Sequence, residues 1–200
     1  MDDSLRIRVH GGSALPALIY LPGLHGDWTL VSSFRAAVAG RVRFVEFTYP
    51  RTVTWSLDDY AAAAEEALAH HGVSNGWLLG ESFGSQIAWQ MIKRSLEQHT
   101  TSKSPVYHGL VLAGGFVKHP WPRGVTWMQR LTGTVSRKTM RGCFYWYARY
   151  AKFRHRHAPE TLAGIDEFVA NRMRPGDRMA AMHRLELIKA GDLRPVARRT

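Results

Sequence analysis

Gly80-Glu81-Ser82-Phe83-Gly84 is the stretch whose residue types and spacing could do chemistry. It fits G-x-S-x-G, a serine flanked by glycines two positions away on either side. A nucleophile at the tip of a sharp strand-to-helix turn takes a strained backbone, and side chains at the flanking positions would collide as strand and helix close. Glycine at 80 and 84 removes that collision. A helix starting directly after Ser82 would turn free backbone N–H groups and its positive dipole end toward the hydroxyl, favouring negative charge that develops there. The pair of features describes nucleophilic attack with a ready-made oxyanion site.

The elements that must position this turn are legible from periodicity. Trp77-Leu78-Leu79 reads as a short strand before it, and Ser85 to His99 as a helix after it, with Ile87, Ala88, Met91, Ile92 and Leu96 recurring on one side. Leu5 to Val9 alternates as a half-exposed strand does. Ala17 to Leu21 is a buried-strand run stopped by Pro22-Gly23, and Val42 to Thr48 is another that ends at Tyr49-Pro50. Leu57 to His70 is alanine-rich, acidic early and followed by Gly72, the signature of a helix. Gly109 to Ala113 is a further strand before Gly114-Gly115. Strands alternating with helices imply a mostly parallel sheet with helices on both faces, a three-layer α/β architecture. Ligands of such sheets bind at the carboxyl ends of the strands, where Ser82 falls.

These residues resemble the α/β-hydrolase fold superfamily of serine hydrolases over about Leu5 to Gly115. Gly80 to Gly84 resembles its nucleophile elbow, and Leu21 to Trp28 resembles the loop that supplies half of its oxyanion hole, with Pro22 where a histidine often stands. The resemblance implies attack on an ester, thioester or small amide through an acyl-enzyme on Ser82, with the backbone N–H groups of Leu24 and Phe83 as oxyanion donors. It implies no cofactor and no metal. His25, beside that loop, is a candidate for contact with substrate, the alternative being a loop histidine bonded to nearby backbone.

Family order then requires an acid and a histidine on later loops. After Gly115 the sequence shows no apolar run bounded by turns and ending in an acid, so the expectation is a chain truncated at its C-terminal side relative to the family. Asp166, Glu167 and Asp177 followed by His183 satisfy the order, but Asp177 and His183 fall close together on what reads as one helix, so a solvated histidine is the plainer reading. His155-Arg156-His157 has a metal-compatible spacing, which the surrounding cations oppose. The competing reading of the whole is therefore a catalytically silent binding or interaction protein.

Charge and composition divide the chain. Residues 117–200 carry 18 of the 27 Lys and Arg but 6 of the 16 acids, so the net charge of +11 belongs to the second part. We place a core at residues 1–116, a helical, basic and aromatic cap at 117–191, and the start of a further core segment at 192–200. Trp127 to Leu131, Cys143 to Arg154, Pro159 to Met173 and Arg178 to Ala190 are the expected cap helices. Phe144 to Phe153 is dense in aromatics. The favoured expectation is a helix burying them against the core; the others are a lid over an apolar substrate, or contact with anionic lipid or nucleic acid. The single cysteine, Cys143, closes no intrachain disulfide and reads as a small packed residue. No apolar run approaches membrane-span length and the first residues lack a signal-peptide pattern, so a cytoplasmic protein with a small-molecule acyl substrate is expected, with no nucleic acid favoured.

Overall fold

A computed structural model describes residues 4–97, 105–171 and 176–200. Five strands form one sheet among these residues: β1 (Arg6–His10), β2 (Ala17–Leu21), β3 (Arg43–Thr48), β4 (Asn75–Glu81) and β5 (Val106–Ala113), in the spatial order β1-β3-β2-β4-β5. β1 runs antiparallel to β3, and every other pairing is parallel. The antiparallel member is the half-exposed edge strand that alternated in sequence. The central parallel strands β2, β3 and β4 are apolar runs, as expected when both faces are covered, whereas β5 at the other edge leaves Val106, Val111 and Leu112 exposed.

Side-chain alternation divides the sheet into two faces. Ile19, Leu21, Val45, Phe47 and Leu78 point to one face, where α2 (Leu57–His70) and α3 (Phe83–Glu97) cover them with Tyr60, Ala64, Leu68, Ile87 and Met91. Tyr20, Phe44 and Leu79 point to the other, packing on Trp28, Val31 and Val38 from a 3-10 turn (Thr29–Val31) and α1 (Ser32–Val38). The sheet thus lies between helical layers.

Helix α2 starts where its sequence says it should. Ser56 caps it, accepting from the Asp59 N–H, while the Asp59 carboxylate accepts from the Ser56 N–H, a complete capping box. The two helices on that face are clamped together by Arg94 of α3, which reaches Asp58 at 2.9 Å and Glu65 at 2.8 Å on α2.

The basic second part is helical. It contains α4 (Pro122–Thr134), α5 (Arg137–Arg154), α6 (Pro159–Asn171), α7 (Asp177–Ala190) and the short α8 (Arg194–Ala197). Of the four expected helices, α6 starts at Pro159 as expected and the other three start earlier in the chain; residues 172 and 173 at the expected end of α6, like 98 and 99 at that of α3, lie outside the described residues. The segment after Gly191 folds as α8, with Leu193 and Val196 buried.

One expectation is corrected by burial. The aromatics of α5 do not pack into the core: Tyr145, Trp146, Tyr147, Tyr150 and Phe153 are each at least 60% exposed. The reason is geometric. Among the described residues α5 packs chiefly on α6, and a single helix can cover only one side of another. Cys143 is exposed with them.

Candidate active site

Ser82 sits in the tight turn between β4 and α3 with φ of +46°, the left-handed region that L side chains seldom adopt. It is the only non-glycine residue in that region among those described. Crowding explains why the turn needs its glycines. A Cβ on Gly80 would lie 2.7 Å from the Ser85 Cα, and one on Gly84 would lie 2.0 Å from the Leu21 carbonyl oxygen. Side chains at either position would push the helix off the strand ends.

Three strand ends converge on this turn. The register that pairs Leu21 with Gly80 brings the end of β2 beside the elbow, and an added Cβ on Gly23 would be 3.4 Å from the Ser82 Cβ. From the end of β5, the Ala113 carbonyl accepts the Ser82 N–H at 3.1 Å. Beyond it, the Phe116 carbonyl accepts from the Ser85 hydroxyl and the Gln86 amide, and the Phe116 N–H donates back to the Ser85 hydroxyl. The first turn of α3 is thereby tied to the strand next door.

The two residues expected to offer main-chain donors directly follow Gly23 and Ser82 in the chain. Phe83 is the first residue of α3, so its N–H has no partner within the helix, and its ring is buried against Tyr49 and Tyr60. Leu24 lies in the loop after β2. That loop is held by a residue the sequence reading passed over. Arg184 of α7 is only 1% exposed, and its guanidinium donates to the carbonyls of Leu24 at 2.9 Å and Pro50 at 3.0 Å while lying over the Tyr49 ring. Gly26, with φ of +75°, leaves room for it: a Cβ there would come within 2.3 Å of that guanidinium. The available signal was a cation at helical spacing between apolar Ala180 and Ile188, both buried.

Glu81 is the second residue missed. Its carboxylate accepts the hydroxyl of Tyr20, which is 3% exposed. Burial first, and then the neighbouring Glu81, push the Tyr20 phenol far above its ordinary value, so it remains a neutral donor. Tyr49, behind the loop, is likewise held neutral by burial, with Arg184 opposing.

The expected histidines divide. His25 stands in the loop after β2, its Nε2 bonded to the Asp27 carbonyl at 2.9 Å and its ring edge-on to Phe168 of α6. His183 has its Nε2 on the Trp55 carbonyl at 2.8 Å and its Nδ1 3.9 Å from Glu186. Asp177 pairs with Arg51, and Asp166 with Lys152. Among the described residues, the hydrogen bonds of Ser82 run through its backbone and none joins its hydroxyl to a histidine. No cluster of three or more His, Cys, Asp or Glu suited to a metal occurs among them either.

A cleft of about 460 Å³ lies elsewhere, walled by His10, Arg35, Phe44, Glu160, Gly164 and Glu167. It opens between β1, α1 and α6 and not at the carboxyl ends of β2 and β4. We keep the site at Ser82 because the backbone strain and the convergence of strand ends are there.

No protein-family model matches the chain, and no curated protein sequence matches it. Solved structures do. The chain is similar to an enol-lactonase from Burkholderia xenovorans LB400 (16% identity, TM-score 0.68, covering 96% of this chain and 73% of the other). It is similar to a hydrolase from Pseudomonas aeruginosa PA01 (13% identity, TM-score 0.66, 96% and 70%) and to an esterase from Thermogutta terrifontis (18% identity, TM-score 0.61, 93% and 68%). The chain has the α/β-hydrolase fold, and spans roughly seven-tenths of the length of these neighbours. At such identities the likeness concerns the fold, and function must be argued from the site.

Proposed function

We propose that this chain is a serine hydrolase that cleaves an ester, thioester or small amide through an acyl-enzyme on Ser82. The observation that carries the reading is the left-handed backbone of Ser82, since strain of this kind persists where the surroundings impose it and clusters at reacting groups. In the proposed step the Ser82 hydroxyl oxygen bonds to the substrate carbonyl carbon, its proton passes to a base, and the carbonyl π electrons move onto oxygen. The Phe83 and Leu24 N–H groups, aided by the N-terminal end of α3, would stabilise that oxyanion. Collapse of the intermediate expels the alcohol, thiol or amine, which takes the proton from the base; water then attacks the acyl carbon, and the acid leaves as Ser82 regains its hydroxyl proton. The fold neighbours described as an esterase, a hydrolase and an enol-lactonase support this choice of reaction class.

A second reading, a binding protein without turnover, is favoured by the histidines. His25 and His183 both spend Nε2 on backbone carbonyls, and no histidine meets the Ser82 hydroxyl among the described residues. A fluorophosphonate probe distinguishes the two. Covalent labelling that disappears in Ser82→Ala is expected from the hydrolase; a folded wild-type protein that takes up no label supports the silent reading and sinks ours.

A further inference from the structure

We propose that α5 forms a docking surface for the anionic face of a lipid bilayer. The outward side of α5 carries Trp146, Tyr147, Tyr150 and Phe153 at 69%, 67%, 61% and 65% exposure. At 100° per residue these four fall within about a third of the helix circumference. Phe144, Ala148 and Ala151, which are less exposed, fall on the opposite side, toward α6. The four rings therefore form one aromatic face turned away from the fold, with the exposed Arg154 in the same sector.

Charge selects the occupant. From residue 98 to 159 the sequence contains no Asp or Glu, while residues 117–158 contain ten Lys and Arg. Lys138, Arg149, Arg154 and Arg156 are exposed on α5 or directly after it. A second copy of the chain would bring the same cations face to face, so self-association through this face is opposed. An anionic bilayer satisfies both features: cations meet phosphates and carboxylates, while Trp and Tyr rings settle at the headgroup level and Phe reaches below it. Nucleic acid is tracked by a positively charged groove, whereas these rings stand on the outward face of a single helix. No described helix is long and apolar enough to cross a membrane, so α5 would lie on the surface.

The test is flotation of the 200-residue chain with vesicles of phosphatidylcholine alone and with phosphatidylserine added. Expected are binding to the phosphatidylserine vesicles only, a blue shift of tryptophan emission, and loss of binding at high salt. The triple variant Trp146→Ser, Tyr150→Ser, Phe153→Ser should bind at least about tenfold more weakly. Arg149→Glu with Arg154→Glu should do the same, and circular dichroism matching wild type shows that both variants are folded. No flotation with phosphatidylserine at low salt, undiminished flotation of both folded variants, or tighter binding to polyuridylate than to the vesicles would overturn the proposal.

Discussion

Ser82 combines a polar hydroxyl with a backbone conformation that any Cβ makes costly. Strain in this region is of order 1–3 kcal/mol for a non-glycine residue. Removing the hydroxyl alone leaves that strain in place, whereas removing the Cβ relieves it. Ser82→Gly should therefore be about 1 kcal/mol more stable than Ser82→Ala, the reverse of the order at ordinary positions, where glycine is the worse residue. Denaturant unfolding of the two variants measures this, and an alanine variant as stable as the glycine one would show that the turn is unstrained. Arg184 illustrates the complementary case, a buried cation whose partners are carbonyls and whose place depends on a missing side chain at Gly26.

At the scale of elements, the α2–α3 layer depends on a charged clamp. Arg94 lies between two carboxylates that respond in opposite senses. The hydrogen bond from Gln90, and then those from Arg94, hold Asp58 below the usual carboxylate range, while burial raises Glu65 despite Arg94. Because the folded-state value of Asp58 is depressed, its contribution to stability is present above the unfolded carboxylate range and is lost as pH falls through the folded value. Exposure of the Asp58 side chain keeps that contribution small. Thermal unfolding of wild type and Asp58→Asn should differ at neutral pH and converge in strong acid. A gap that persists in acid would mean that the aspartate acts through packing and not through its charge.

At the scale of the whole molecule, stability is distributed unevenly. β2, β3 and β4 supply the fully buried Leu21, Val45, Phe47 and Leu78, whereas the side chains described on α5 are exposed or half-buried. Segments with little buried surface open locally at lower free energy than the core. Amide hydrogen exchange should therefore label Arg137–Arg154 at least about tenfold faster than the three central strands. Equal protection of the two regions would contradict the view that α5 is only loosely attached.

Much of this architecture was legible in the sequence because it follows from local rules. Apolar runs bounded by glycine and proline gave the strands, the Ser56–Asp59 box and the late histidines bounded α2, and the glycines at 80 and 84 marked the turn around Ser82. α1 was missed because Ser32–Val38 is short and buries none of its residues, so it carries no periodic pattern. What surrounds that turn depended on chain segments far apart in sequence. Nothing near Leu24 announces that Arg184 will hold its carbonyl 160 residues later. The aromatic density of α5 was plain, but whether those rings face inward or outward depends on how much neighbouring surface reaches the helix, and that is decided only when the chain has packed.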